Sequence, residues 1–252
     1  MPLRPWHTLV VIPTYNEREN LPTLVRKVIE TTPFAVLVVD DASPDGTGRV
    51  ADELVSAYPG RVAVLHRGGR RGLGRSYRDG FRHALHLGAE IICQMDADLS
   101  HDPGDLPRLV SASADADVVV GSRYIRGAAV ANWPLHRLLL SRAGNAYVRI
   151  VTGLRLRDVT SGFKCWRRSA LAAVMNQPLH SDGYALQFEM LFHAARARMH
   201  LVEIPIIFVE RREGVSKMSG RVIRESLMRP IQLLLSRPVH VAVDARALSS
   251  DV

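Results

Sequence analysis

Cysteine is scarce in this sequence, and the two that occur, Cys93 and Cys165, lie far apart along the chain. Neither belongs to a CxxC pair or to a Cys/His cluster, which excludes the usual zinc-binding and dithiol motifs. Both fall in apolar or mixed segments, where free cysteines behave as small buried hydrophobic residues. We therefore expect two buried free thiols and a reducing compartment.

Long apolar runs are also missing. The longest late runs, LVEIPIIFV and PIQLLLS, are interrupted and fall far below the roughly 18–20 residues that a membrane span requires. The stretch MPLRPWHTLVVIPTYNE lacks the basic segment and long apolar segment of a signal peptide. We expect a protein that is cytoplasmic or lies on a membrane without crossing it.

Acidic residues are outnumbered by basic ones. The sequence has 33 lysines and arginines and 25 aspartates and glutamates, which gives a formal net charge of +8 at pH 7. A basic surface favours anionic partners, whether phosphates, nucleic acid or an anionic membrane face. The same excess would arise in a soluble protein from an arginine-rich proteome. The 252 residues, 47% of them hydrophobic, suffice for one large domain or two small ones.

Short apolar runs alternate with amphipathic ones through the first half of the chain. The apolar runs are continuous, which predicts strands buried on both faces of a mostly parallel sheet, with helices on either side. Predicted strands cover 8–15, 35–43, 61–67, 90–96 and 117–124, and predicted helices cover 20–32, 47–58, 73–88 and 105–114.

Beyond residue 125 the pattern is looser. It predicts helices over 134–154 and 186–198, a strand over 201–211, and a loop with a strand within 158–169. The segment 219–241 is amphipathic and basic, and Pro230 is expected to kink or break it.

Polar clusters follow four of the predicted strands: PTYNE, DDASPDGT, HRGGRRGLG and DADLSH. Right-handed crossovers place the carboxyl ends of parallel strands along one edge of the sheet, where ligands bind in such folds. The loops expected at the opposite edge, ETTPF, AYPG and HLGA, are plainer. The sequence therefore predicts a ligand site at the carboxyl edge.

The DADLSH cluster carries two carboxylates, Asp96 and Asp98, two residues apart at the end of a strand. They can share one hard cation such as Mg²⁺ or Mn²⁺, or one can hold the cation and the other a ribose. The alternative is a polar turn that ends the strand. Without a cation the two carboxylates would repel one another.

Two nucleotide motifs are absent. No GxGxxG follows the first strand, which disfavours a Rossmann dehydrogenase, and HRGGRRGLG lacks the GK[ST] of a P-loop. Asp40 and Asp41 end the second strand, and Asp41 is the better functional candidate because 43–46 is a turn by composition. Arg67, Arg70 and Arg71 can meet anions, or their loop is flexible and solvated.

Together, PTYNE, VVDDASPDGT, GLG, MDADLSH, GSRY, VTSGFK, QFEM and RREGVSK resemble the family 2 glycosyltransferases, which have a GT-A fold. More closely, they resemble the dolichyl-phosphate or polyprenyl-phosphate mannose synthases. The match runs in order from about residue 8 to about residue 218. DADLSH together with SGFK and the late G-x-SK is its most specific part.

The resemblance implies a role for several side chains. Pro13, Tyr15 and Glu17 would contact the base and ribose. Asp41 would bind the nucleoside as well. The diphosphate would lie along Asp96, Ala97 and Asp98, with Asp98 ligating the metal and Ser100 as a second, poorer ligand. Phosphates of donor or acceptor would meet Arg123, Arg212 and Lys217, and the loop around RREGVSK would close over the donor.

The implied activity is an inverting, Mg²⁺- or Mn²⁺-dependent transfer of mannose from GDP-mannose to a polyprenyl phosphate. A catalytic domain over 1–218 would be followed by a basic amphipathic tail over 219–252. The enzyme would lie peripherally on the cytoplasmic membrane face, through that tail or through a membrane-spanning partner subunit. The tail helix can instead pack against the sheet.

Two other functions remain open. The sugar can be glucose or another hexose, since few residues touch it. A basic nucleic-acid-binding α/β protein is disfavoured, because the acidic strand ends at Asp40, Asp41, Asp96 and Asp98 would repel the phosphates of a nucleic acid.

Glu189 is either a general base or a structural carboxylate paired with Arg196 or another cation. His101 is more simply a scaffold than a catalyst, and 158–163 is a turn that shapes the acceptor or sugar pocket.

Overall fold

The computed structural model describes residues 6–69, 71–209 and 220–236. Three of the residues singled out above, Arg70, Arg212 and Lys217, lie outside the described residues, as does the RREGVSK loop.

The first half of the chain follows the predicted order closely. Its strands are β1 (Thr8–Thr14), β2 (Ala35–Asp40), β3 (Val62–His66), β4 (Ile91–Gln94) and β5 (Val118–Ser122). Its helices are α1 (Leu21–Thr31), α2 (Thr47–Ala57), α3 (Leu73–His86) and α4 (Leu106–Ala112), the last preceded by a 3₁₀ turn at Pro103–Asp105.

The second half contains elements that the sequence pattern did not show. β6 (Ala129–Ala131) and α6 (Arg168–Met175) are additions, and the strand expected over 201–211 divides into β8 (Leu201–Pro205) and β9 (Ile207–Val209). The remaining elements are α5 (Leu135–Thr152), β7 (Lys164–Arg167), α7 (Leu186–Arg196) and α8 (Gly220–Leu235). Of the two outcomes expected at Pro230, the break does not occur, since α8 continues through Pro230 to Leu235, and the kink stays a prediction.

The large sheet has the strand order β3-β2-β1-β4-β7-β5-β8. All neighbouring pairs in it are parallel except those of β7, which runs antiparallel to both β4 and β5. β6 and β9 form a separate two-stranded parallel sheet. The prediction of a mostly parallel sheet is confirmed, with β7 as its one reversed strand.

Both faces of the sheet are covered, as its continuous apolar strands predict. Alternate residues of β1 enter two separate cores: Leu9 packs with Tyr77 of α3 on one face, and Val10 packs with Leu24 of α1 on the other. Gly80 lets α3 approach closely, because a Cβ there would lie 2.7 Å from Val11 Cγ1. The sheet is therefore a rigid middle layer that fixes where its loops emerge.

The two cysteines meet across the sheet. Cys93 of β4 lies opposite Cys165 of β7, and both are buried free thiols. Their contact and their burial raise the pKa of Cys93. The expectation of two buried free thiols is confirmed.

The helix α8 packs against α5 and α7. Leu233 of α8 is 1% exposed, and the Tyr147 hydroxyl of α5 donates to the Leu227 carbonyl at 2.5 Å. The division into a domain over 1–218 and a tail over 219–252 stays a prediction. Among the described residues, no helix combines the length and the apolar character that spanning a membrane requires.

Candidate active site at the carboxyl edge of the sheet

The polar clusters predicted at strand ends meet at one edge of the large sheet. β1 lies between β2 and β4, and all three run in the same direction, so the loops that follow them emerge side by side. β7 runs the opposite way, and its first residue, Lys164, pairs with Gln94 at the end of β4. The turn that precedes β7 therefore reaches the same edge.

Asp41 is buried beyond the end of β2, and both of its carboxylate oxygens have partners. Arg67 donates to Oδ1, and the backbone N–H of Gly72 donates to Oδ2 at 2.8 Å. Gly72 has φ +154°, and a Cβ there would lie 2.7 Å from the Asp182 carbonyl oxygen. The glycine-rich loop is thus folded onto Asp41, which makes the carboxylate a fixed acceptor at this edge.

Asp40 stabilises the turn that follows β2 instead. It accepts from the Ser43 hydroxyl at 2.6 Å and from Thr14 Oγ1 at 3.4 Å. This geometry agrees with the interpretation of 43–46 as a turn and leaves Asp41 as the carboxylate that faces the loop after β3.

Tyr15 and Arg71 bridge the loops that follow β1 and β3. The Arg71 guanidinium donates to the Tyr15 hydroxyl at 2.7 Å and lies 4.7 Å from the centre of its ring. The same guanidinium donates to the Ala42 carbonyl at 3.0 Å. Glu17, two residues on from Tyr15, accepts from the Asn20 side chain at 3.0 Å. The residues expected to meet a nucleoside are therefore assembled from three separate loops.

Asp96 is held from several directions. The buried Tyr77 hydroxyl of α3 donates to its Oδ1 at 2.8 Å, and its backbone N–H points at His101 Nδ1, 3.5 Å away. On the other side lies Gly162, where a Cβ would overlap Asp96 Oδ2. Ala97, the next residue, is 4% exposed. The Asp96 carboxylate thus has one defined position.

Asp98 is presented by a strained turn. Leu99 has φ +60°, a backbone conformation that costs a non-glycine residue of order 1 kcal/mol or more and that recurs at functional sites. Ser100 donates to Asp98 Oδ1 through its backbone N–H at 3.2 Å and its hydroxyl at 2.5 Å. Within the described part of the chain, Asp98 Oδ2 makes no hydrogen bond. Ser100 therefore orients the carboxylate, and its metal-ligand role stays a prediction.

The donor set at this edge suits a hard divalent cation. Carboxylate and hydroxyl oxygens are the ligands that Mg²⁺ and Mn²⁺ prefer. Among the described residues, no group of three or more His, Cys, Asp or Glu side chains forms a complete metal cage. A cation held by Asp98 would therefore draw most of its ligands from water and from phosphates, as Mg²⁺ commonly does.

Arg123 is largely occupied by a carboxylate of the protein. Its Nε and Nη2 each donate to Asp158 at 2.7 Å, and Nη2 also donates to Thr160 Oγ1 at 2.9 Å. Burial alone would lower the pKa of Arg123, but Asp158 raises it above its ordinary value. Arg123 is thus a fixed positive charge beside Asp96, and contact with a substrate phosphate stays a prediction for it.

Glu189 and His101, for which catalytic roles were considered, both have structural surroundings. Glu189 accepts backbone N–H bonds from His180 and Ser181 at 2.9 Å each and pairs with Arg229 of α8. Burial would raise the pKa of Glu189, but the hydrogen bond from Arg229 and those from the loop hold it below its ordinary value. His101 is buried against Phe163, with ring centres 4.9 Å apart. The geometry favours the scaffold interpretation of both.

Sequence reasoning missed two buried polar residues beside Asp96. Tyr77 was not singled out within the helix predicted over 73–88, and only the hydrogen bond to Asp96 shows what its hydroxyl does. Lys164 stands in the SGFK motif, but nothing in the motif shows that the ammonium group is fully buried. Burial lowers the pKa of Lys164 to about 7, against the attraction of Asp158 and Asp96.

Comparison with known proteins agrees with this geometry. Residues 9–175 match the family model described as Glycosyl transferase family 2. The chain is 47% identical over 224 residues to the polyprenol monophosphomannose synthase of Mycolicibacterium smegmatis, covering 88% of this chain and 84% of the relative. It is 46% identical over 221 residues to the undecaprenyl-phosphate mannosyltransferase of Micrococcus luteus, covering 87% and 90%.

Two solved structures share the fold. Glucosyl-3-phosphoglycerate synthase from Mycobacterium tuberculosis superposes with a TM-score of 0.69 at 16% identity, over 92% of this chain and 81% of that one. The mannosyltransferase PcManGT from Pyrobaculum calidifontis, in complex with GDP-Man and Mn²⁺, superposes with a TM-score of 0.58 at 19% identity, over 90% and 62%. These similarities confirm the GT-A-like fold that the motifs implied. The chain belongs to glycosyl transferase family 2.

Proposed function

We propose that this protein transfers mannose from GDP-mannose to a polyprenyl phosphate, in the presence of Mg²⁺ or Mn²⁺ and with inversion at the anomeric carbon. The observation that carries the proposal is the carboxylate of Asp98, presented by the strained turn at Leu99 beside a fixed Asp96. The names of relatives that share 46–47% of its residues support the choice of sugar and acceptor.

On the donor side, the nucleoside would lie across the loops after β1, β2 and β3. Pro13, Tyr15, Glu17 and Asp41 would contact it there, and the diphosphate would pass along Asp96, Ala97 and Asp98. A divalent cation bound at Asp98, with Ser100 nearby, would neutralise the charge that develops on the leaving diphosphate. PcManGT, which has the same fold, was crystallised with GDP-Man and Mn²⁺.

A phosphate acceptor needs little help from a general base. A phosphate monoester has a second pKa near 6 and is already anionic at neutral pH, unlike a sugar hydroxyl. The protein then has only to align the phosphate with the anomeric carbon and to exclude water. This agrees with Glu189, whose carboxylate is fully engaged with Arg229 and the loop at 180–181.

The acceptor phosphate would enter beside α5. Arg137 lies over the ring of Trp133 at 4.5 Å, and Arg142 lies 5.8 Å from the ring centre of Tyr124. Both belong to α5, and Tyr124 follows Arg123 directly in the chain. The path from Arg142 to Arg123 is therefore positively charged, which suits an anionic headgroup. Arg212 and Lys217, which precede α8 in the chain, are proposed to act on the same phosphates.

The polyprenyl chain requires a membrane, and α5 and α8 offer a surface for one. The two helices touch through Tyr147 and Leu227 and expose apolar side chains along their lengths. An amphipathic helix of this kind binds in the plane of a membrane interface, helped by basic residues on anionic lipid. We therefore place the protein peripherally on the cytoplasmic membrane face, with a membrane-spanning partner subunit as the other means of recruitment. The exposed residues are Leu135, Leu139, Leu140, Ile150, Ile223, Leu227, Met228, Ile231, Leu234 and Leu235.

Product analysis tests the proposal. The protein is incubated with a short polyprenyl phosphate and either labelled GDP-mannose or labelled UDP-glucose, with Mn²⁺ or with a chelator. We expect label in the lipid only from GDP-mannose with Mn²⁺, in a linkage of opposite anomeric configuration to the donor. Lipid labelled from UDP-glucose would select the hexosyltransferase alternative. No labelled lipid, together with tight metal-free binding of DNA, would select the nucleic-acid-binding alternative.

A further inference from the structure

A lysine is fully buried immediately behind the proposed donor site. Lys164, the first residue of β7, is 0% exposed, and its Nζ donates to the Ser161 carbonyl and, at 2.5 Å, to Gln187 Oε1. Removing an ammonium group from water costs several kcal/mol unless charges and hydrogen bonds offset the loss. A methionine of similar volume would avoid that cost. We therefore expect the ammonium group or its hydrogen bonds to have a role in the neighbouring structure.

Lys164 belongs to a polar network enclosed between β4, β7 and α7. Gln94 Nε2 donates to Gln187 Oε1 at 2.6 Å and to the Gly162 carbonyl at 3.2 Å, while Trp166 Nε1 donates to Gln94 Oε1 at 3.0 Å. Two consecutive carbonyls of the turn before β7 therefore accept hydrogen bonds from this network: that of Ser161 from Lys164, and that of Gly162 from Gln94.

The turn that the network fixes is the one that touches Asp96. A Cβ at Gly162 would overlap Asp96 Oδ2, so the backbone of the turn and the carboxylate are in direct contact. Tyr77 holds the other oxygen of Asp96 from the opposite side at 2.8 Å. The turn and Tyr77 thus hold Asp96 from two sides, so a displaced turn would remove one of these two supports.

We propose that Lys164 is a positioning residue for Asp96, which it acts on by holding the Ser161–Gly162 turn against the carboxylate. The inference rests on the proposed function, because it assigns Asp96 to the donor site. Lys164 touches neither substrate, and nothing in the described structure places it in contact with the reacting atoms. Asp158 and Asp96 attract its ammonium group and oppose the effect of burial on its pKa.

A double-mutant cycle tests this assignment. The variants are Lys164→Met, Asp96→Asn and the two combined, and kcat/KM for GDP-mannose is measured for each at saturating acceptor. We expect each single change to lower kcat/KM by roughly 10- to 100-fold, and the double variant to be no worse than Asp96→Asn alone. If the two losses multiply, Lys164 does not act through Asp96 and the proposal is wrong.

Binding without turnover gives a second readout. Lys164→Met should weaken the affinity for GDP-mannose, measured calorimetrically with Mn²⁺, and leave the KM for polyprenyl phosphate unchanged. Equal loss for donor and acceptor would indicate general loosening of the site and contradict the proposal. If the parent protein transfers no mannose, the proposed function fails, whereas an active parent without coupling in the cycle overturns only the inference.

Gln187→Met keeps the test decisive if Lys164→Met does not fold, as judged by circular dichroism and a cooperative melt. This change removes one partner of Lys164 but retains its bond to the Ser161 carbonyl. We expect a smaller loss of kcat/KM, which again disappears in the Asp96→Asn background. A loss that persists there would count against the proposal in the same way.

Discussion

The donor half of the molecule, residues 8–112, and the acceptor half, residues 118–209 and 220–236, differ in what their surfaces expose. Every large apolar side chain that the described residues expose lies between Leu135 and Leu235. The donor half instead ends its strands in polar loops that bind one another, as Arg67 binds Asp41 and Arg71 binds Tyr15. Among the described residues the donor half thus exposes no large apolar side chain, whereas the acceptor half has an apolar surface that a membrane would cover.

The largest effect, a loss of mannosyl transfer, is expected from a substitution in the donor half. Asp98→Asn removes the charge that would hold the cation and leaves the turn at Leu99 and the bonds from Ser100 in place. We expect kcat/KM for mannosyl transfer to fall about 10³-fold, since a site's electrostatic stabilisation of a leaving group is worth that much. The measurement is initial rate against GDP-mannose at fixed Mn²⁺.

Asp102→Asn is the matched control for that change. Asp102 lies four residues further on, and its Oδ1 accepts the Gly104 N–H at 2.9 Å, a bond that an asparagine oxygen retains. It should keep the activity within about threefold of the parent, because a charge in solvent is screened. Equal losses in both variants would mean that the loop's overall charge, and not a cation at Asp98, determines the rate.

The second effect lies in the acceptor half and concerns stability. Glu189→Gln removes the partner of Arg229 and leaves that guanidinium, 12% exposed, without a counter-charge. We expect the free energy of unfolding to fall by about 3 kcal/mol, as for other broken buried ion pairs. Urea denaturation measures it, with Glu53→Gln as the control, since its exposed pair with Arg49 contributes under about 1 kcal/mol.

The alternative for Glu189, a general base, predicts the reverse pattern. Stability would then be nearly unchanged while kcat fell a hundredfold or more. That outcome would contradict the structural role of Glu189, because the reaction would then depend on a buried side chain of the acceptor half.

A third effect concerns β7, the reversed strand that joins the two halves. Because burial lowers the pKa of Lys164 to about 7, the folded protein binds fewer protons than the unfolded chain between about pH 7 and pH 10. The contribution of Lys164 to the free energy of unfolding therefore rises with pH across that window, by about 2 kcal/mol between pH 7 and pH 9. The measurement is the difference in unfolding free energy between the parent and Lys164→Met at both pH values. A difference that does not change with pH would show that Lys164 titrates normally.

Most of the donor half could be predicted from the sequence. The strand predicted over 8–15 is β1 at Thr8–Thr14, and the helix predicted over 47–58 is α2 at Thr47–Ala57. Buried parallel strands are continuous apolar runs and amphipathic helices have a 3.6-residue period, so each is visible locally. The position of the candidate site could be predicted from the same pattern, because the loops that follow parallel strands meet at one edge of the sheet.

The parts that could not be predicted depend on contacts between distant residues. β7 has only four residues, and neither its length nor its composition shows that it runs antiparallel between β4 and β5. The roles of Tyr77 and Lys164 are invisible for the same reason, since their partners come from other elements. Asn20 shows the limit of a local pattern in another way: it directly precedes α1, where an asparagine commonly caps a helix, but its side chain donates to Glu17 instead.

The smallest effect tests what covers the acceptor half. Arg224, on the exposed part of α8, should attract anionic lipid, and each arginine near such a surface contributes about 1 kcal/mol. Arg224→Gln should therefore weaken sedimentation with anionic vesicles about fivefold, whereas Arg49→Gln, 73% exposed on α2 of the donor half, should have no effect. Arg229 is unsuitable for this test because its pairing with Glu189 links charge to stability. Equal weakening by Arg224→Gln and Arg49→Gln would mean that net charge alone attracts the protein to lipid; the apolar surface of α5 and α8 would then have to be assigned to a partner subunit.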